Sequence, residues 1–110
     1  MLASDASDIE RGDPDVVRSY EQELLAWVQK YKRYPKRLKR RGVEGKVILA
    51  FTVGSGGDLL HYEILQGSGE IQLDKAALAI LKDAAPMPAI PEDLDMAEYT
   101  VRIPVSYTIR

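Results

Sequence analysis

The last 13 residues of this 110-residue chain, Glu98–Arg110, are EYTVRIPVSYTIR. Apolar and polar side chains alternate along this stretch, and such alternation predicts a long β-strand, from about Tyr99 to Ile109, with one face buried. The buried face is predicted to carry Tyr99, Val101, Ile103, Val105, Tyr107 and Ile109. The exposed face is predicted to carry Thr100, Arg102, Pro104, Ser106 and Thr108.

Pro104 indicates where this strand lies in its sheet. Proline has no N–H for ladder pairing, so within sheets it is confined to edges, strand starts or bulges. The last strand is therefore predicted to be an edge strand. Because a long edge strand invites aggregation, a protein that keeps one shields it or uses it. Pairing with a partner's strand is the favoured interpretation, and a shielding loop or a second copy of the chain is the alternative.

Two shorter alternating stretches precede the last strand and predict a β-hairpin. Lys46–Val53 is rich in β-branched residues, and the glycines of Gly54–Asp58 suit a tight connection to a second strand over Leu59–Gln66. In the first strand, one face is expected to carry Val47, Leu49, Phe51 and Val53. In the second, one face is expected to carry Leu60, Tyr62 and Ile64.

Two helices are predicted. Asp13 followed by Pro14 is a helix-start signal, and Tyr34-Pro35 is predicted to end the first helix because the residue before proline disfavours the α region. The second helix is predicted over Leu73–Ala84, before a proline-rich loop.

The element order α-β-β-α-β predicts an α+β fold, in which two helices pack on one face of a three-stranded antiparallel sheet. Residues 1–12 are polar and acidic without periodicity, so they are expected to be a disordered leader or an expression remnant. Residues 13–110 are expected to form one domain.

The residue types argue against an enzyme. There is no cysteine and a single histidine, His61, so we expect neither a metal site nor a cofactor, and no catalytic residue is predicted. The GSGG sequence at Gly54–Gly57 follows a strand but precedes another strand, so it is interpreted as a hairpin turn and not as a phosphate loop.

Charge is segregated along the chain. Residues 30–46 hold nine of the 15 Lys and Arg residues and one acid, Glu44, although the formal net charge is −2. This basic segment suggests a nucleic-acid-binding module, a docking surface or only a solvated loop. Nucleic acid is not the expected partner, because the chain is acidic overall and the predicted open sheet face lacks stacking aromatics.

The order and spacing of short motifs from about Tyr20 to Ile109 resemble the TonB C-terminal domain family. The matching motifs are Tyr34-Pro35, the run from Lys39 through Gly42-Val43-Glu44-Gly45 to Val47, Phe51, Val53, Gly57, Gly67-Ser68-Gly69, Leu73-Asp74, Ala76-Ala77-Leu78 and Ile103-Pro104-Val105-Ser106-Tyr107. The chain departs from the family pattern in two places. Ala85-Pro86-Met87-Pro88 stands where an aromatic residue is common, and Leu38 stands where a small residue is usual.

The resemblance implies a non-enzymatic periplasmic domain of an energy transducer. Such transducers couple an inner-membrane proton-driven motor, of the ExbB/ExbD type, to outer-membrane active transporters for iron siderophores, haem or cobalamin. It also implies an inner-membrane anchor through an N-terminal helix that this chain lacks, so the chain is expected to be an excised domain. A purely structural dimerisation domain is the remaining alternative. The sequence leaves undecided whether the chain forms a homodimer.

By the same resemblance, the transporter's TonB box binds the last strand as an added strand. The expected peptide-binding residues are Thr100, Val101, Arg102, Ile103, Val105, Ser106, Tyr107 and Thr108. The expected flanking contact segment is Leu38, Lys39, Arg40 and Arg41.

Overall fold

A computed structural model describes residues 13–109, so the expectation for residues 1–12 lies outside the described residues. The helices are α1 (Pro14–Lys30), α2 (Lys36–Arg40) and α3 (Ile71–Ala84), with a 3-10 turn at Glu92–Leu94. The strands are β1 (Gly45–Gly54), β2 (Leu59–Gln66) and β3 (Glu98–Tyr107). The α+β class and the α-β-β-α-β order are confirmed, with α2 as an additional short helix. Within residues 13–109, no helix is both long and apolar enough to cross a membrane.

The three strands form one antiparallel sheet in the order β2-β1-β3, which confirms that β3 is an edge strand. All ten residues of β3 pair with β1, from Gly45 opposite Tyr107 to Gly54 opposite Glu98. One face of the sheet packs against α1 and α3 in a single core. Its buried strand residues are Val47, Leu49, Phe51 and Val53 from β1, and Val101, Ile103, Val105 and Tyr107 from β3.

Helix α1 begins as predicted and ends early. The Asp13 carboxylate accepts a hydrogen bond from the Asp15 N–H at 2.8 Å, and proline occupies the first turn. The helix ends at Lys30, before the predicted end at Tyr34-Pro35, because the Tyr31 N–H already turns back to the carbonyl of Val28. Tyr20, Leu24 and Val28 are its buried residues.

Strand β2 contains two bulges that the alternation did not reveal. Leu59 lies opposite Val53 and His61 opposite Thr52, so Leu60 is an extra residue, and Leu65 is extra in the same way. Leu59, and not the predicted Leu60, therefore shares a face with Tyr62 and Ile64. Leu59 packs against the core instead, and Leu60 is 44% exposed.

Part of the basic segment folds as α2. Leu38 is completely buried and fastens this short helix to the core, while its Lys and Arg residues remain outside. Gly42 ends the helix with a φ of 72°, and the Val43 N–H donates to the Leu38 carbonyl at 2.9 Å. The solvated-loop interpretation therefore does not describe Lys36–Arg40.

The proline-rich loop after α3 folds back onto the β1–β2 turn. The Met87 N–H donates to the Gly57 carbonyl at 2.8 Å, and the Ile90 N–H donates to the Ser55 carbonyl at 3.1 Å. Met87 is buried, in the stretch Ala85–Pro88 where the resemblance leads one to expect an aromatic residue. Gly57 has a φ of 95°, and a Cβ there would lie 2.0 Å from the Met87 carbonyl oxygen.

Gly57→Ala is expected to destabilise the domain by about 2 to 4 kcal/mol, because the added methyl group meets backbone and the positive φ is unfavourable for alanine. Gly56→Ala is the matched control in the same turn, where a Cβ meets nothing within 4 Å. It should change the free energy of unfolding by less than about 1 kcal/mol. Urea unfolding measures both, and equal losses would contradict the account of this contact.

Candidate functional site: the outer edge of the last strand

Pro104 fixes which backbone groups of β3 face outward. It pairs with Ile48 of β1 in an antiparallel ladder. Such a ladder alternates residues that exchange hydrogen bonds with the neighbouring strand and residues whose N–H and C=O point away from it. Because proline has no N–H to exchange, Pro104 belongs to the second kind. Its carbonyl points away from β1, toward the open side of β3.

Three contacts support this assignment. Gln29 Nε2 donates to the Pro104 carbonyl at 3.4 Å, and Lys32 Nζ donates to the Ser106 carbonyl at 2.8 Å, so neither carbonyl is directed at β1. The hydroxyls of Thr52 and Thr100 lie 2.7 Å apart, as suits a pair without mutual backbone bonds, where side chains approach closely. The even-numbered residues of β3 therefore present their backbone to the outer edge.

The side chains of β3 also alternate, with odd-numbered residues facing the core and even-numbered residues facing solvent. Of the predicted peptide-binding residues, four have buried side chains that fasten the strand to the core: Val101, Ile103, Val105 and Tyr107. The others are exposed: Thr100, Arg102, Ser106 and Thr108. Thr108 lies just beyond the end of the strand. A partner at this edge would meet outward backbone groups and the exposed side chains of the even-numbered residues.

Helix α1 forms a wall beside this edge. An open groove of about 410 Å³ runs between α1 and the first half of β3. From the helix it is lined by Arg18, Glu21, Gln22 and Leu25, and from the strand by Thr100, Val101, Arg102, Ile103 and Pro104. The helix wall was not predictable from the sequence, because these residues lie off the apolar stripe of α1 and no local pattern connects them with β3.

A hydrogen bond holds α1 beside the start of β3. The Tyr99 hydroxyl donates to the Glu21 carboxylate at 2.5 Å, and the Tyr99 ring packs edge-on against Tyr20, with ring centroids 5.7 Å apart. Burial raises the pKa of Tyr99, and the bond to Glu21 raises it further. Tyr99 is therefore neutral at ordinary pH and can donate.

The basic segment lies at the other end of β3. The ring of Tyr34 meets that of Tyr107 edge-on at 5.2 Å, and the Tyr34 hydroxyl donates to the carbonyl of Val43. These contacts join the segment around α2 to the end of the edge strand. Lys39, Arg40 and Arg41 of this segment are exposed. The Leu38 side chain is enclosed by the core, and the place of Leu38 in the flanking contact segment stays a prediction.

The open face of the sheet carries little chemistry. His61 lies opposite Thr52 and Glu63 opposite Ala50, in one shallow depression with Thr100. No group of three or more His, Cys, Asp or Glu residues within 13–109 is arranged to hold a metal ion.

The fold and this edge define a class of protein, a small α+β domain with an open sheet edge beside a helix. The chain belongs to the family described as Gram-negative bacterial TonB protein C-terminal, whose model matches residues 30–109. The family expected from the motifs is confirmed.

Individual relatives agree with this assignment. The chain is 34% identical over 76 residues to Protein TonB of Pseudomonas putida, which covers 69% of the chain and 31% of the relative. It is 32% identical over 95 residues to Protein TonB of Pasteurella multocida, covering 86% of the chain and 36% of the relative. The chain thus spans about a third of the length of these relatives.

A solved structure shows the same architecture. The solution structure of the Helicobacter pylori TonB C-terminal domain, residues 179–285, superposes with a TM-score of 0.70 at 27% identity. The match covers 84% of this chain and 82% of that one.

Tyr107→Phe is expected to change the free energy of unfolding at pH 7 by less than about 1 kcal/mol, because the buried Tyr107 hydroxyl has no hydrogen-bond partner among the described residues. Tyr20→Phe is the matched control. The Tyr20 hydroxyl donates to the Pro88 carbonyl at 2.8 Å, so its loss should cost about 1 to 3 kcal/mol. Equal losses in urea unfolding would contradict this difference.

The same variants test the response to alkaline pH. Burial raises the pKa of Tyr107 to about 12 from an ordinary value of 10.0. Folding therefore favours the neutral phenol, and this stabilisation is complete below pH 10 and is lost between pH 10 and about 12. Thermal unfolding between pH 9 and 11 should show a smaller loss of stability in Tyr107→Phe than in the unmodified domain. An identical loss would be the contrary result.

Proposed function

We propose that this chain is the periplasmic docking domain of a TonB-type energy transducer. It takes the short N-terminal TonB box of an outer-membrane transporter as an added strand on β3. The observation that carries the proposal is the direction of the β3 backbone, since its even-numbered residues present hydrogen-bonding groups to the open edge beside the groove. Family membership supplies the partner class.

Strand addition suits this edge physically. In β-augmentation, main-chain bonds supply affinity and alternate side chains supply selectivity. With about 0.5 to 1.5 kcal/mol net per hydrogen bond, about five bonds and the cost of ordering a flexible peptide, binding in the micromolar range follows. Such a link forms and releases repeatedly. It also resists a pull along the strand, because bonds loaded in shear must break together.

The rest of the proposed system lies outside this chain. The full protein is proposed to be anchored in the inner membrane by an N-terminal helix and to receive energy there from motor proteins of the ExbB/ExbD type. This part rests on the resemblance to the family, since the chain spans only about a third of its relatives.

Pro104 provides the test of strand addition. Pro104→Ala restores an N–H that points to the outer edge, so it should tighten binding of a TonB-box peptide by up to about tenfold. Arg102→Pro makes the opposite change, removing an outward N–H without removing a bond to β1, and should weaken binding by about three- to tenfold. Calorimetric titration measures the affinities.

Arg102→Ala is the matched control, because it removes the side chain and keeps the N–H. It should bind the peptide more tightly than Arg102→Pro does. Thermal unfolding first establishes that each variant is folded. If Pro104→Ala and Arg102→Pro both bound with the affinity of the unmodified domain, strand addition on β3 would be excluded.

The basic segment is proposed to attract acidic surfaces of the transporter. Lys39, Arg40 and Arg41 are exposed in the segment that Tyr34 joins to the end of the edge strand. Exposed charge affects the rate of association more than affinity. Changing all three to Glu should slow association by about tenfold at low salt and flatten its salt dependence. Stopped-flow measurements with a transporter or its periplasm-exposed segment test this.

The control reverses one charge on another surface, Lys75→Glu on the exposed side of α3, and should leave the salt dependence nearly unchanged. If the triple variant associated like the unmodified domain at every salt concentration, the basic segment would have no part in docking.

A further inference from the structure

The outer edge of β3 divides into two halves. In the first half, the outward backbone groups of Thr100 and Arg102 border the groove, and no side chain within residues 13–109 donates a hydrogen bond to their carbonyls. In the second half, two side chains from α1 and the turn after it already occupy the outward carbonyls of Pro104 and Ser106. A strand added along the whole edge would have to compete with these side chains.

The two contacts differ in strength. Gln29 reaches the Pro104 carbonyl at 3.4 Å, which is a long and weak hydrogen bond between neutral groups. Lys32 reaches the Ser106 carbonyl at 2.8 Å with an ionised donor, which makes the bond shorter and stronger. Lys32 is therefore the main obstacle at this half of the edge.

The position of Lys32 is held by its surroundings. Its own N–H donates to the Gln29 carbonyl at 3.2 Å in the turn that ends α1. Its ammonium group lies 5.9 Å from the centre of the Tyr107 ring, at the end of β3. A cation just beyond a helix C-terminus is also favoured by the helix dipole. The lysine is exposed, so an incoming strand can reach and displace it.

We propose that Lys32 is an autoinhibitory latch on the edge of β3. The latch is the bond from Lys32 Nζ to the Ser106 carbonyl, and it closes the second half of the edge to strand addition in the free domain. A lysine on an edge strand or over it is a known means of preventing edge-to-edge pairing between copies. The inference deepens the proposed function, on which its peptide-binding part rests. It assigns the first contact of the peptide to Thr100 and Arg102, and a second step to Ser106 once Lys32 has left.

The test compares Lys32→Met with Lys30→Met in this domain. Methionine keeps an unbranched side chain and removes the ammonium group. Lys30 carries the same charge two residues earlier, but its ammonium lies 4.2 Å from the centre of the Trp27 ring and makes no bond to β3. Any effect of net charge is therefore common to both variants.

Each protein is titrated with a TonB-box peptide while backbone amide shifts are followed. Lys32→Met should bind about three- to tenfold more tightly than Lys30→Met, and its shifts at Ser106 should equal those at Arg102. In the unmodified domain, the shift at Ser106 should be smaller than that at Arg102. If the peptide bound the edge of both variants with the same affinity and the same footprint, the latch would be overturned and docking would stand.

If the peptide shifted no amide of β3 in any of the proteins, the proposed function would fail. The latch would then be tested by comparing the self-association of the two variants. Sedimentation equilibrium should then show that Lys32→Met self-associates at a lower protein concentration than Lys30→Met. Equal behaviour of the two variants would refute the latch.

Discussion

The antiparallel pairing of β3 with β1 determines both the core and the outer edge of the sheet. It runs over all ten residues of β3 without a bulge. Pro104 determines which residues of β3 exchange hydrogen bonds with β1, because a residue without an N–H has nothing to donate to the neighbouring strand. This choice of residues determines both which side chains are buried and which backbone groups face outward. Odd-numbered side chains enter the core, and even-numbered backbone groups turn to the outer edge. A shift by one residue would exchange both sets.

Helix α1 connects this edge with the core. The buried residues of this helix pack on the sheet, and they are Tyr20, Leu24 and Val28. Other residues of the helix lie beside β3. Glu21 holds the start of the strand through Tyr99, and Lys32, just after the helix, holds its end through Ser106. The helix is thus a structural support, one wall of the groove and the source of the side chains that cover the second half of the edge.

Much of this could be predicted from local sequence because local patterns determine it. The alternation around Val101 and Ile103 predicts a half-buried strand, and Pro104 predicts an edge. The bulge at Leu60 was not predictable, since a run of alternating apolar residues looks the same whether or not one residue is unpaired. The helix around Leu38 was missed because its flanking charges suggest a solvated loop, and only the tertiary structure reveals the pocket that buries this leucine.

The candidate site was predictable only in part. The strand itself could be found, but the contacts that divide its edge join residues about 75 positions apart, such as Gln29 and Pro104, and leave no trace in periodicity or composition. The order of the motifs identified the family, because several weak motifs at fixed spacing are specific when taken together. The family resemblance and Pro104 both indicated β3 as the docking strand.

Strand addition on β3 is tested by amide hydrogen exchange with and without a TonB-box peptide. The peptide should slow exchange at the outward amides of Thr100 and Arg102. It should leave exchange unchanged at the amides of Val101 and Ile103, which already bond to β1. Equal slowing at even and odd positions, or none in β3, would contradict the claim that a partner strand adds to this edge.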